Sequence, residues 1–112
     1  MGLENLGLIR GTLDLLILKA LSTGEKHGYA VSEWIEGATD GRLLVEEGTL
    51  YPALHRLERR GLISAEWGLS ENNRRAKYYG LTKAGVARLK EEEDIWRSYS
   101  DAVGKALAEE MP

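Results

Sequence analysis

The chain predicts a mainly α-helical fold with one small β-hairpin, and three observations carry that prediction. Apolar residues recur at helical spacing in three segments before residue 61. Two short strand candidates, "LISAEW" and "AKYYGL", flank the turn-forming stretch "GLSENNRR". Residues 83 to about 110 then continue as one long helix. With 43% hydrophobic and 29% charged positions, the 112 residues have the profile of one globular domain.

The first two helices supply most of the predicted core. Thr12 is a suitable N-cap for a helix through "LDLLILKALS", which Gly24 ends. Its leucines and isoleucine are too dense for a one-sided surface helix, so we expect it at the centre of the core. A second helix, roughly Tyr29 to Ala38, should pack inward through one stripe, which comprises Ala30, Val31, Trp34, Ile35 and Ala38.

The stretch "EEGTLYPALHRLERRGLI" predicts a third helix with two contrasting sides. Pro52 has no backbone N–H, which places the helix start close to Thr49, a good N-cap. Gly61 is expected to end the helix in a left-handed conformation. The apolar stripe comprises Leu50, Leu54 and Leu57. The opposite side carries Tyr51, Pro52, His55, Arg56, Arg59 and Arg60.

Charge is distributed unevenly along the chain. Residues 48 to 90 carry nine Lys or Arg and three Glu, a net +6 in a chain whose total is −3. Arg74 and Arg75 stand at the tip of the predicted hairpin. A basic surface on an otherwise acidic protein is expected where one side of the molecule meets phosphate.

The order of the elements narrows the fold further. Three short helices followed by a two-stranded wing form the winged helix-turn-helix, in which the third helix enters the major groove of DNA. Arginine is the side chain best shaped for guanine or phosphate, and the third helix carries three on its outer side. The wing arginines would then hold the DNA backbone or the minor groove.

Three segments resemble the PadR-type transcriptional regulators. They are "GTLYPALHRLERRGLI", the preceding "HGYAVSEWI" and the following "RRAKYYGLTKAG". The resemblance spans about residues 9 to 90, and the "TLYPALHRLE" block is its most specific part. It implies a dimeric, usually repressing protein that binds double-stranded operator DNA through a winged N-terminal domain and dimerises through C-terminal helices.

The resemblance also implies which residues contact DNA. The matching positions of the helical region are Tyr29, Thr49, Tyr51, Pro52, His55 and Arg56. The matching positions of the backbone-binding hairpin are Asn73, Arg74, Arg75 and Lys77. Arg59 joins them because it lies on the same basic side of the third helix. The turn "ENNRRAK" departs from many relatives, in which it is longer or more basic.

The pattern of the C-terminal helix predicts that it forms the dimer interface. Thr82 is its expected N-cap, so the chain divides into a winged domain, residues 1–81, and a C-terminal helix, residues 82–112. Apolar residues recur at spacings of three, four and seven, as in helices that pack on a partner. The dimerisation residues are predicted to be Leu89, Ile95, Trp96, Tyr99, Val103 and Leu107. A single helix after the wing resembles the short-tailed branch of the family.

In some short-tailed relatives an aromatic residue on this helix helps line a flat hydrophobic cavity between subunits, which accepts planar compounds and changes operator affinity. That resemblance makes Trp96 with Tyr99 the candidate ligand site for a small planar hydrophobic effector. The alternative is that Trp96 only fills the interface. Trp34 and Trp67 are interpreted as core or wing-packing residues.

Other functional classes find little support. Cysteine is absent, and His27 and His55 lack ligand-like spacing, so neither a metal nor another cofactor is expected. No phosphate-binding loop, GxSxG motif or nucleophile and base pair indicates an enzyme. The longest apolar run, Leu13 to Leu21, is too short for a membrane span, which favours a cytoplasmic protein. A winged helix that binds protein rather than DNA remains the alternative.

Overall fold

A computed structural model describes residues 11–110 and confirms the mainly helical fold with a small sheet. Three helices precede a β-hairpin, and a long helix follows it. One short strand before the second helix was not predicted. In chain order the elements are α1 (Thr12–Ser22), β1 (Lys26–His27), α2 (Gly28–Ala38), α3 (Glu47–Arg59), β2 (Ile63–Leu69), β3 (Arg75–Leu81) and α4 (Lys83–Leu107).

Helix α1 lies at the centre of the fold, as its sequence predicts. It contacts α2, α3, α4 and β3, and it buries Ile17, Leu18, Ala20 and Leu21. Its N-cap is Gly11 at φ 88°, not Thr12, which is the first helical residue. Gly11 reaches this left-handed conformation without the steric cost that a Cβ would bring.

The inward side of α2 is narrower than the sequence predicts. Val31 and Ile35 are fully buried, and Trp34 is partly buried against the same core. Ala38 is exposed at the end of the helix, so its assignment to the inward stripe is wrong. Ala38 is the last residue of the helix, and the chain turns directly after it at Thr39 and Asp40.

Helix α3 begins one turn earlier than Pro52 indicates. Its N-cap is Glu46, and the backbone N–H groups of Thr49 and Leu50 donate to the Glu46 carbonyl at 3.0 and 2.9 Å. Pro52 therefore lies in the second turn. Proline at this position has no N–H to donate to the Gly48 carbonyl. That carbonyl is exposed, so water can donate to it instead.

The end of α3 agrees with the prediction. Gly61 adopts φ 74°, its N–H donates to the Glu58 carbonyl at 3.0 Å, and the Leu62 N–H donates to the Leu57 carbonyl at 3.1 Å. These two bonds form a Schellman motif, which satisfies carbonyls that would otherwise lack donors. Buried Leu62 then leads directly into β2, so the motif fixes the wing relative to α3.

The sheet is antiparallel with the order β1, β3, β2. In the hairpin Trp67 pairs with Lys77 and Leu69 pairs with Arg75. The added strand β1 places His27 beside Tyr78, with the two rings edge to face at 5.6 Å. β1 therefore joins the start of α2 to the wing.

Helix α4 has a packed first part and an open second part. The Thr82 side chain caps it, accepting from the Gly85 N–H at 3.0 Å and donating to the Gly61 carbonyl at 2.7 Å. Leu89 is 6% exposed and belongs to the core of this chain, because the first turns of α4 pack against α1 and β3. Among the described residues no helix is long and apolar enough to cross a membrane.

Candidate nucleic-acid interface

A cleft of about 590 Å³ opens between the start of α2, the outer side of α3 and the wing. Aromatic and basic side chains dominate its walls. The residues that line it are His27, Gly28, Tyr29, Tyr51, His55, Trp67, Ser70, Asn72, Arg75, Ala76, Lys77 and Tyr79. Five of the residues predicted to contact DNA therefore meet in one place: Tyr29, Tyr51, His55, Arg75 and Lys77.

The α2 wall of the cleft is held by a histidine cap and a glycine. His27 Nδ1 accepts from the Ala30 N–H at 3.2 Å, which satisfies one free donor at the start of α2. A Cβ on Gly28 would lie 2.6 Å from the Tyr51 hydroxyl oxygen. The Tyr51 ring therefore rests directly on the glycine backbone, and this contact sets how far Tyr51 projects into the cleft.

The wing wall carries two cations, each held by a neighbour. The Arg75 guanidinium lies 4.8 Å from the centre of the Trp67 ring. Lys77 Nζ lies 3.4 Å from Glu58 Oε1 on α3 and 5.6 Å from the centre of the Tyr79 ring. Burial raises the pKa of Tyr79 above its ordinary value of 10.0, although Lys77 opposes that rise, so the phenol stays neutral.

The outer side of α3 divides into three strips. Tyr51 and Glu58 face the wing, where Glu58 pairs with Lys77. Arg56 and Arg60 face α1, where both approach Asp14. The crest between them carries three exposed residues at helical spacing, Pro52, His55 and Arg59, of which His55 also lines the cleft.

The tip of the wing is a tight turn with an exposed arginine. The Ser70 N–H donates to the Arg74 carbonyl at 2.8 Å, and the Asn73 N–H donates to the Ser70 carbonyl at 2.9 Å. Asn73 adopts φ 58°, a left-handed conformation that asparagine tolerates. Arg74 follows with its side chain exposed.

The remaining predicted contact residues surround the cleft rather than line it. Thr49, Pro52, Arg56 and Arg59 are exposed on α3, and Asn73 and Arg74 are exposed at the wing tip. All six lie on α3 or on the wing, which are two of the three elements that bound the cleft. The structure thus brings the predicted contact residues onto one face, hereafter the α3–wing face.

Two residues at or beside this face were not among the predicted contacts: Trp67 on the wing and Asp14 on α1. Trp67, interpreted as a core or wing-packing residue, is 60% exposed and packs against the Arg75 guanidinium, so it belongs to the wing and not to the core. It pairs with Lys77 in the hairpin and lines the cleft together with Tyr51 and His55. Asp14, which occurs within an apolar run, holds two arginines of α3. The sequence signal is a carboxylate between two leucines of the helix, Leu13 and Leu15.

A second cleft, of about 390 Å³, lies between the start of α1 and the middle of α4. Both candidate ligand residues border it. The lining residues are Gly11, Thr12, Leu15, Glu92, Ile95, Trp96 and Tyr99.

Beyond this cleft, α4 presents apolar side chains to the outside. Ile95 is 56% exposed and Leu107 is 80% exposed, with Tyr99 and Val103 between them on neighbouring turns. These four residues follow one another at intervals of four, so they form one stripe. Of the six predicted dimerisation residues, four form this stripe, Trp96 beside it is 38% exposed, and Leu89 is buried in the core of this chain.

Comparison with known proteins identifies the family. The sequence profile described as the transcriptional regulator PadR-like family matches residues 17–91. A transcriptional regulator from Clostridium thermocellum is 35% identical, with a TM-score of 0.78 over 87% of this chain and 94% of that chain. A PadR-like transcriptional regulator from Bacillus cereus is 31% identical, with a TM-score of 0.78 over 90% of this chain and 96% of that chain.

A curated relative gives the same result over part of its length. The transcriptional regulator YqjI of Escherichia coli is 35% identical over 81 residues, which is 72% of this chain and 37% of that protein. This chain therefore spans less than half of that regulator. The matched profile, the two solved structures and the α3–wing face agree, and the chain belongs to the PadR-like family of transcriptional regulators.

Proposed function

We propose that this protein is a sequence-specific DNA-binding repressor that acts as a homodimer and is released by a small planar hydrophobic ligand. The observation that carries the DNA-binding part is the α3–wing face. There an exposed helix crest and an exposed wing tip each carry an arginine beside a cleft with aromatic and basic walls.

The face has the parts that a DNA surface requires. The α3 crest with His55 and Arg59 would enter the major groove, where arginine recognises guanine or phosphate. The wing tip with Arg74 would approach the adjacent backbone. Phenol and indole groups at Tyr29, Tyr51 and Trp67 add contact area to sugar and phosphate while keeping a polar edge.

The exposed stripe on α4 supports the dimer. Within residues 11–110 the apolar side chains from Ile95 to Leu107 are exposed, and burying them against a second copy would be favourable. A twofold dimer would place two α3 helices in successive major grooves, with half-sites about one helical turn apart. The winged part, residues 1–81, and the C-terminal helix, residues 82–112, would then serve DNA binding and assembly respectively.

The α1–α4 cleft supports the ligand part of the proposal. Trp96 and Tyr99 give it two aromatic walls, and Glu92 adds a carboxylate. A second copy packed on α4 would bring a second Trp96 near the first, which would favour a flat aromatic compound. Release from DNA requires the ligand to bind the DNA-incompetent arrangement more tightly than the competent one.

The experiment first selects genomic fragments that the protein retains, and then measures their affinity by fluorescence anisotropy over a range of NaCl concentrations. We expect the selected duplex to bind at least about 10³-fold more tightly than a random duplex, with a strong salt dependence. If the selected and random duplexes bind equally weakly, the DNA proposal fails and the protein-binding alternative takes its place. Quenching of tryptophan fluorescence by planar aromatic compounds tests the ligand part separately.

A further inference from the structure

One carboxylate on α1 holds two arginines of the proposed DNA face. Asp14 Oδ1 lies 2.5 Å from Arg56 Nη2, and its other oxygen, Oδ2, lies 3.8 Å from Arg60 Nη1. Arg56 and Arg60 are four residues apart, so one side of α3 presents both to the same group. The Asp14 side chain is 28% exposed, less than either arginine, so it lies beneath the two guanidinium groups.

The other arginines of α3 and the wing tip differ from this pair. Among residues 11–110, neither Arg59 nor Arg74 forms an ion pair. These two are available to phosphate at once. Arg56 and Arg60 must first break their ion pairs with the Asp14 carboxylate. Exchanging that carboxylate for a phosphate gains little binding free energy. Nonspecific binding depends on such phosphate contacts, so the two held arginines contribute little to it.

We propose that Asp14 is a specificity-determining residue of the DNA interface, acting as an internal competitor for phosphate. It holds Arg56 and Arg60 while the protein meets random duplex. The two arginines exchange Asp14 for DNA only where the α3 crest and the wing are already seated, because only then does fixed geometry favour the exchange. Asp14 thereby widens the difference in affinity between operator and random DNA.

A purely structural role does not account for this arrangement. Helix α1 is already fixed by the buried side chains of Ile17, Leu18 and Leu21. Partly exposed ion pairs add little to stability, so the pairs with Asp14 are not needed to hold α1 against α3. The ion pairs lie instead on the DNA-facing edge of α3, where an anion that competes with phosphate affects DNA binding.

The test rests on the proposed DNA binding and compares Asp14→Asn with Glu93→Gln. Glu93 is a matched control because it also bridges two cations, Lys19 at 3.6 Å and Arg97 at 3.5 Å, but on α4. Both variants remove one negative charge and free two cations. Anisotropy titrations against salt with the selected operator and a random duplex give the affinity, its salt slope and the ratio between the duplexes.

Asp14→Asn is expected to bind random duplex about three- to tenfold more tightly, with a salt slope steeper by about 0.9 for each new phosphate contact. Operator affinity should change less, so the ratio between the duplexes falls. Glu93→Gln should leave all three quantities unchanged. An equal effect of the two variants, an unchanged ratio, or weaker binding of Asp14→Asn to both duplexes would overturn the proposal.

A second variant keeps the test independent of how well Asp14→Asn folds. Arg56→Gln with Arg60→Gln should weaken operator binding while leaving random-duplex affinity near that of the unchanged protein. Equal loss on both duplexes contradicts the role of Asp14. Failure of the unchanged protein to prefer any duplex overturns the proposed function itself, and is seen before any variant is compared.

Discussion

Two surfaces of the chain are left open in opposite ways. The α3–wing face exposes cations and aromatic rings, with Arg59 on its crest and Arg74 at its tip. The second half of α4 exposes apolar side chains, of which Leu107 at 80% is the most open. The α3–wing face suits a negatively charged partner such as DNA, which releases counter-ions on binding. The stripe on α4 suits an apolar partner surface that excludes water.

The contrast shows that exposure alone does not define a binding surface. On α3 the buried stripe of leucines completes the core, so its charged side is free to act outside the fold. On α4 the buried core ends at Leu89, and no residue between 11 and 110 covers the apolar side chains that follow. Each surface can therefore be changed without altering the core, which makes the two separable by mutation.

The largest effect is expected from a charge in the apolar stripe. Val103→Glu would place two carboxylates in the proposed dimer interface, so the dimer should dissociate and operator affinity should fall by about 10²-fold or more through lost bivalency. Ser98→Glu is the matched control, because it adds the same charge to an exposed position on another side of α4. Sedimentation equilibrium measures the dimer, and anisotropy measures the operator affinity. If Val103→Glu stays dimeric with unchanged affinity, α4 does not form the dimer interface.

Substitution of two glycines on α4 tests whether its first half is packed and its second half is open. A Cβ on Gly85 would overlap the Leu62 carbonyl oxygen, whereas one on Gly104 meets nothing within 4 Å. Gly85→Ala should lower the free energy of unfolding by about 1–3 kcal/mol or more, as overpacking does. Gly104→Ala should leave it unchanged or raise it by about 0.5–1 kcal/mol, since alanine favours helix. Urea titrations measure both; similar values would show that Gly85 does not seat α4.

A smaller effect is expected where α2 meets α3. Gly28→Ala forces the Tyr51 ring off the α2 backbone and into the cleft. We expect operator affinity to fall by about two- to tenfold, the size of one or two lost contacts. Gly37→Ala is the control on the same helix, because nothing lies within 4 Å of its added Cβ. If both variants bind as the unchanged protein does, the seating of Tyr51 is irrelevant to DNA binding.

The sequence predicted those features that local pattern determines. The helical spacing of apolar residues predicts α1, α2 and α4, and the turn-forming residues predict the hairpin. Thr82 is the N-cap of α4, as its residue type indicates. The start of α3 was misplaced because Pro52 is tolerated in the second turn as well as the first. Strand β1 has two residues, too few for any alternation to be seen.

The parts of the site that escaped prediction depend on contacts between distant residues. Asp14 and Arg56 are 42 residues apart, and no spacing rule links them. The sequence does not distinguish a core position from a wing position for Trp67, and only the folded hairpin places it in the cleft beside Arg75. The contacts of Gly28 with Tyr51 and of Gly85 with Leu62 likewise exist only once the helices are packed.

The most direct test of the α3–wing face removes two of its free charges. Arg59→Gln with Arg74→Gln is compared with Arg97→Gln and Lys105→Gln, which neutralise two exposed cations of α4. The quantity measured is the slope of operator affinity against salt. We predict that the first variant loses about 0.9 of slope for each missing phosphate contact per subunit, while the second keeps the original slope. Equal slopes in the two variants would contradict the assignment of this face to DNA.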